Sequence, residues 1–152
     1  DLPVSPKRLQ WYSYHKWIGV TIFLLVIIRF GWRLISPPPP PLRMPHWQRS
    51  LAQAVHAAVY VLLLAIPLTG WVTSSAYGFK TVYLKLVTLP DLVGRNKELA
   101  KQLSEVHELL GFALLVLVAL HVVGAIKHHL IDRDATLKRM LPFVKVTERD
   151  LR

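Results

Sequence analysis

Residues 106–130 read VHELLGFALLVLVALHVVGAIKHHL. No charged residue falls between Leu109 and Ile126. As a helix this stretch reaches about 37 Å at 1.5 Å per residue, enough to cross a hydrocarbon core of about 30 Å. Of its four imidazoles, His128 and His129 lie at its end, while His107 stands near its start and His121 in its apolar middle. Titratable groups are costly inside a membrane and are functional candidates by default. Fourteen helical steps of about 100° leave the two histidines about 40° apart, on one face, and about 21 Å apart along the axis.

Two further apolar blocks precede this one. Residues 17–35, WIGVTIFLLVIIRFGWRLI, form the first. Its helix extends back towards Gln10, because WYSYHKW contains no breaker, and stops at Pro37–Pro41. Residues 51–72, LAQAVHAAVYVLLLAIPLTGWV, form the second, with Pro67 expected to kink it near its far end. The pattern predicts an all-α membrane protein of one domain, with helices at about 10–36, 47–74 and 100–130 and a tail at 131–152. Trp11, Tyr12, Tyr14 and Trp17 crowd one end of the first block, and Trp71 and Tyr77 one end of the second. Aromatic residues gather in this way at the water interface.

Composition agrees. Of 152 residues, 53% are hydrophobic and 18% charged, and the mean hydropathy is +0.36. That content excludes intrinsic disorder. The absence of cysteine excludes disulfides, thiolate metal sites, iron–sulfur clusters and thioether-linked haem. The formal charge of +10 would suggest nucleic acid in a soluble protein. Here the basic residues flank the apolar blocks, so lipid phosphates are the expected partner and nucleic acid is not. Three crossings put the termini on opposite sides. The side holding the C-terminus carries ten Lys and Arg and the other side eight, with Arg29 inside a span. The excess favours a cytoplasmic C-terminus.

Imidazole is a common axial ligand of haem iron, and a pair of them saturates the iron for electron transfer. One helix carrying ligands for two stacked haems explains the spacing of His107 and His121. His15 lies near the outer end of the first helix, at the depth of His107, on a helix running the same way. The two can face each other across one haem. Gly19, Gly111 and Gly124 each lie about one turn from His15, His107 and His121, where a flat macrocycle needs room. His56 has no such glycine and reads as a hydrogen-bond partner or pocket residue first and a ligand second. His46 follows Pro45 in an expected loop. His128 and His129 mark the inner boundary, where they can meet a quinone carbonyl or lipid headgroups. Arg29, fourteen residues after His15, wants an anion: a haem propionate or an acidic headgroup, unless it snorkels to the surface. No nucleophile–base pair, phosphate-binding glycine loop or carboxylate pair appears, so hydrolysis and phosphoryl transfer are not expected.

RFGWR at 29–33, HAAVYVLLLAIPLTGW at 56–71, HELLG at 107–111 and HVVGAIKHHLIDRDATLKRMLP at 121–142 resemble the bacterial cytochrome b561 family. These are small di-haem membrane cytochromes related to the cytochrome b subunits of hydrogenases and formate dehydrogenases. The resemblance implies four transmembrane helices in the bacterial inner membrane. The three found here match the second, third and fourth. It implies that His15 and His107 ligate a periplasmic haem b and that His121 is one ligand of a cytoplasmic one, whose partner lies in the absent helix. The chain starts without methionine in a loop-like stretch, which reads as a truncated record; a single-haem variant and His56 as substitute partner are the alternatives. It further implies ubiquinone beside His128. The expected activity is electron transfer between a periplasmic donor and the quinone pool. That donor is a small anion such as superoxide or a redox partner protein. A subunit relaying electrons for a separate hydrogenase or dehydrogenase, and a haem-free membrane scaffold, are the competing readings.

Overall fold

The computed structural model describes residues 6–36 and 45–130, with side chains placed for 7–36 and 45–126. Three long helices carry the chain: α1 (Pro6–Ile35), α2 (His46–Tyr77) and α3 (Lys97–Leu130). A short hairpin lies between the last two, with β1 at Thr81–Tyr83 and β2 at Val87–Leu89. Each helix is long and apolar enough to cross a membrane. Their most apolar stretches are only 6%, 0% and 6% buried. Val26, Ala76, Ala100 and Ala125 are the buried hydrophobic residues among those described. Apolar side chains turned outward along the most apolar stretches of three helices suit a lipid solvent, where backbone polar groups must be satisfied within the helix itself. The chain is a helical membrane protein.

Local chemistry sets the helix ends. Pro6 opens α1, the position where a missing N–H costs nothing. The proline run at 37–41 and the tail at 131–152 lie outside the described residues. His46, expected in a loop, is instead the first residue of α2, and it is exposed there. The α2 helix runs three residues beyond Ser74 because Gly78 closes it. With φ at +79°, Gly78 donates its N–H to the Ser75 carbonyl at 2.8 Å, and Phe79 donates to the Ser74 carbonyl at 2.9 Å. This pair of reversed bonds satisfies carbonyls that the helix end would orphan. The side chain of Arg95 packs where a Cβ on Gly78 would stand. Asn96 caps α3: its Oδ1 accepts the Leu99 N–H at 3.0 Å. Its own N–H donates to the Ala76 carbonyl at 2.9 Å, which ties the start of α3 to the end of α2.

The chain forms two compact units, Asp1–Pro37 with Tyr60–Ala113, and Pro38–Val59 with Leu114–Arg152. The first holds the hairpin. Its strands pair antiparallel, Thr81 with Leu89 and Tyr83 with Val87. Leu84 and Lys85 turn the chain at φ +48° and +61°, and Leu86 N–H bonds the Tyr83 carbonyl at 2.9 Å. Two left-handed residues in succession make the mirror-image turn that suits strand twist. Neither is glycine, so each carries a cost of about 1 kcal/mol.

Gly78→Ala should destabilise the protein by about 1–2 kcal/mol, through left-handed strain and the Arg95 contact. No atom stands within 4 Å of a Cβ at Gly94, whose φ is ordinary, so Gly94→Ala serves as control. Thermal unfolding in detergent should rank Gly78→Ala below the parent and Gly94→Ala level with it or above.

Candidate functional site

The first unit brings His15 of α1 against His107 of α3. Their ring centroids are 5.9 Å apart and the planes are inclined at 81°. His15 is exposed and His107 half-buried. The His107 ring is held from α2: its Nδ1 lies 3.0 Å from the Ile66 carbonyl and 3.2 Å from Thr69 Oγ1. Thr69 Oγ1 in turn donates to the Ile66 carbonyl at 2.8 Å. Beside His15, Lys16 Nζ donates to Ser74 Oγ at 2.6 Å, and Ser74 donates to the Phe79 carbonyl at 2.8 Å. The hairpin is fastened to the same stretch of α1. Trp17 Nε1 donates to the Val82 carbonyl at 2.8 Å, and Thr21 Oγ1 and the Tyr83 hydroxyl share a bond at 2.9 Å. Trp71 Nε1 holds the following loop through the Pro90 carbonyl at 3.1 Å.

The second unit brings His56 and His121 together, with centroids 5.1 Å apart and planes inclined at 65°. Arg29, in the first unit, donates through Nε to the Tyr60 hydroxyl at 2.7 Å. The backbone of His128 belongs to α3, but its side chain lies outside the described residues, as does that of His129. At Gly19, Gly111 and Gly124 no protein atom stands within 4 Å of a Cβ position.

Two imidazoles on opposite faces of one iron, each about 2 Å from it, place their ring centres about 6 Å apart. The His15–His107 pair meets that separation, so these residues fit a bis-imidazole haem. The His56–His121 pair stands roughly 1 Å closer than such an iron requires. Among the described residues no three of His, Cys, Asp and Glu converge on a bare metal ion. A porphyrin needs no such cluster, since it asks the protein for axial ligands alone.

Sequence reasoning missed Tyr60, Ile66, Thr69 and Gly70. Of these only Thr69 and Gly70 leave a trace, as part of the PLTGW segment after Pro67. A backbone carbonyl such as that of Ile66 has no signature. The hairpin does have one, in the β-branched runs TVY and VTL.

The sequence pattern of prokaryotic cytochrome b561 matches residues 2–143. Cytochrome b561 homolog 2 of Escherichia coli (strain K12) is 38% identical over 138 residues, 86% of this chain and 72% of that protein. Cytochrome b561 homolog 1 of the same organism is 31% identical over 131 residues, again 86% and 72%. A protein of Yersinia pestis named probable superoxide oxidase CybB is 30% identical over 138 residues, 86% of this chain and 78% of that one. The chain belongs to the prokaryotic cytochrome b561 family, membrane cytochromes that transfer electrons through b-type haem.

Removing the Trp17 bond should loosen the hairpin without unfolding the helices. A hydrogen bond contributes about 0.5–1.5 kcal/mol net. Trp17→Phe should therefore speed amide exchange at residues 81–89 by roughly two- to tenfold, with the middle of α1 unchanged.

Proposed function

We propose that this member of the prokaryotic cytochrome b561 family takes electrons from a small anionic donor at the outer membrane surface, superoxide in particular, and passes them to ubiquinone. The His15–His107 pair at 5.9 Å carries the reading. Bound there, haem b supplies a one-electron store. His15 and His107 would hold it, and Thr69 and the Ile66 carbonyl orient His107. His121 would ligate a second haem; His56 beside it stands about 1 Å too close to take the opposite side of the same iron in this arrangement. Arg29, steadied by Tyr60, offers its remaining N–H groups to a propionate.

Superoxide is favoured as donor by charge and by kinship. Lys80, Lys85, Arg95, Lys97 and Lys101 stand against only Asp91 and Glu98 between Gly78 and Ser104. A cationic approach of this kind attracts a small anion from a distance. The relative from Yersinia pestis carries superoxide oxidase in its name. The balance is simple. Two superoxide anions each lose one electron and leave as dioxygen, while one quinone gains both electrons and two protons to become the quinol. The quinone site is at His128, near Lys127, Arg133 and Arg139 in sequence, where cationic and imidazole donors would stabilise the charge of the reduced head group. The chain then lies in the bacterial inner membrane with its C-terminus in the cytoplasm.

His107→Ala should cost the protein one haem and leave the other spectrum intact; full haem retention in that variant would rule out the assignment. Stopped-flow mixing should show haem reduction by superoxide at a rate that falls several-fold between low salt and 0.15 M, as the screening length shrinks from about 30 to about 8 Å. Reoxidation by a soluble quinone should slow in His128→Ala. Failure of the first step removes superoxide as the donor, and an unchanged second step removes the quinone site.

A further inference from the structure

Ile66, Thr69 and Gly70 are spaced i, i+3 and i+4, so they share one face of α2. That face meets the edge of the His107 ring at its Nδ1 and Cε1. We propose that these three residues form a seat that fixes the tautomer and angle of His107, and thereby sets the potential of the haem it holds. The proposal rests on the reading of His107 as an axial ligand.

A carbonyl can only accept a hydrogen bond. With the Ile66 oxygen 3.0 Å away, Nδ1 of His107 must carry the proton. The Thr69 hydroxyl fits the same assignment. Its hydrogen goes to Ile66 at 2.8 Å, which leaves a lone pair for the Nδ1–H at 3.2 Å. One N–H therefore faces two acceptors, and Nε2 is left with its lone pair for iron. The opposite tautomer would set two lone pairs against each other. Metal-bound histidines are oriented and made more electron-rich by donation from the other ring nitrogen. Richer donation stabilises ferric iron and lowers the potential.

Gly70 supplies the fit. A Cβ at this position would stand 2.9 Å from Cε1 and 3.2 Å from Nδ1 of His107. Glycine is the residue that lets the ring come close enough to reach the Ile66 carbonyl. The helix is otherwise apolar along its turns from Val61 to Leu68, so this one polar facet is out of keeping with its surroundings. The segment that the sequence shows as PLTG is therefore a positioning device for a ligand on another helix, and Thr69 and Gly70 act through His107 without touching iron.

The test uses the whole chain, purified in detergent with its haem, and reads haem content, midpoint potentials and the low-spin ferric resonance signal. Thr69→Val replaces the hydroxyl by a methyl of the same shape. It should keep the haem and raise the potential of the outer one. The expected shift is at least threefold in the reduction equilibrium, about 28 mV at 59 mV per tenfold for one electron. Thr69→Ser should restore the parent value. Gly70→Ala should push the ring from Ile66 and change the resonance signal of that haem alone, and this second variant carries the test should Thr69→Val fail to assemble. If His107→Ala loses the haem but both α2 variants keep the parent potential and signal, the seat is overturned and the ligand assignment stands. If His107→Ala keeps all its haem, the ligand assignment fails and the proposal with it.

Discussion

Lipid offers no hydrogen bonds, so every polar group along these helices must find its partner within the protein. Four hydroxyl residues of the helices follow that rule. Ser13 turns back to the Leu9 carbonyl, Thr21 to Trp17, Thr73 to Thr69 and Ser75 to Trp71, at 2.7–3.1 Å. Arg29 turns to Tyr60. His107 meets the same demand through Ile66, and in doing so its ring becomes fixed. Satisfying a half-buried imidazole and fixing its orientation are here one act. The interaction that makes the histidine tolerable inside the membrane also leaves its other nitrogen available for chemistry.

Much of this was legible beforehand, and the boundary is instructive. Three helices follow from runs of apolar residues, because the bilayer enforces length and composition more strictly than a soluble core does. The approach of His15 to His107 follows from equal depth on helices of the same direction, a geometric inference that needs no side-chain detail. What the sequence hides is contact made through backbone. The Ile66 carbonyl is identical to that of every other residue, and only the fold selects it. Gly70 was passed over for a related reason. Attention falls on glycines near a histidine in sequence, such as Gly19 and Gly111, yet no protein atom stands near a Cβ at either, whereas Gly70 on a different helix lies against the His107 ring. The helix ends beyond Ser74 and before Ala100 are set by the Gly78 reversal and the Asn96 cap, both local signals that a search for apolar blocks does not weigh.

The two histidine pairs are not equivalent. His15 and His107 stand at a separation that suits an iron between them, while His56 and His121 are closer. In the first unit α1 and α3 supply the two rings and α2 supplies the support. In the second, α2 supplies a ring itself. The same three helices thus divide their labour differently in the two places.

The hairpin has a consequence for how the chain can change over time. Two of its moorings run from side chains outside the strands to main-chain carbonyls, from Trp17 to Val82 and from Trp71 to Pro90, while a third joins Thr21 to the side chain of Tyr83. A carbonyl is present whatever residue occupies the position. Substitution at Val82 therefore leaves its carbonyl anchor in place, whereas the anchors themselves depend on the indoles of Trp17 and Trp71 and on the Tyr83 hydroxyl. The outer surface of the hairpin can therefore vary at positions such as Val82 so long as Tyr83 and the two indoles remain.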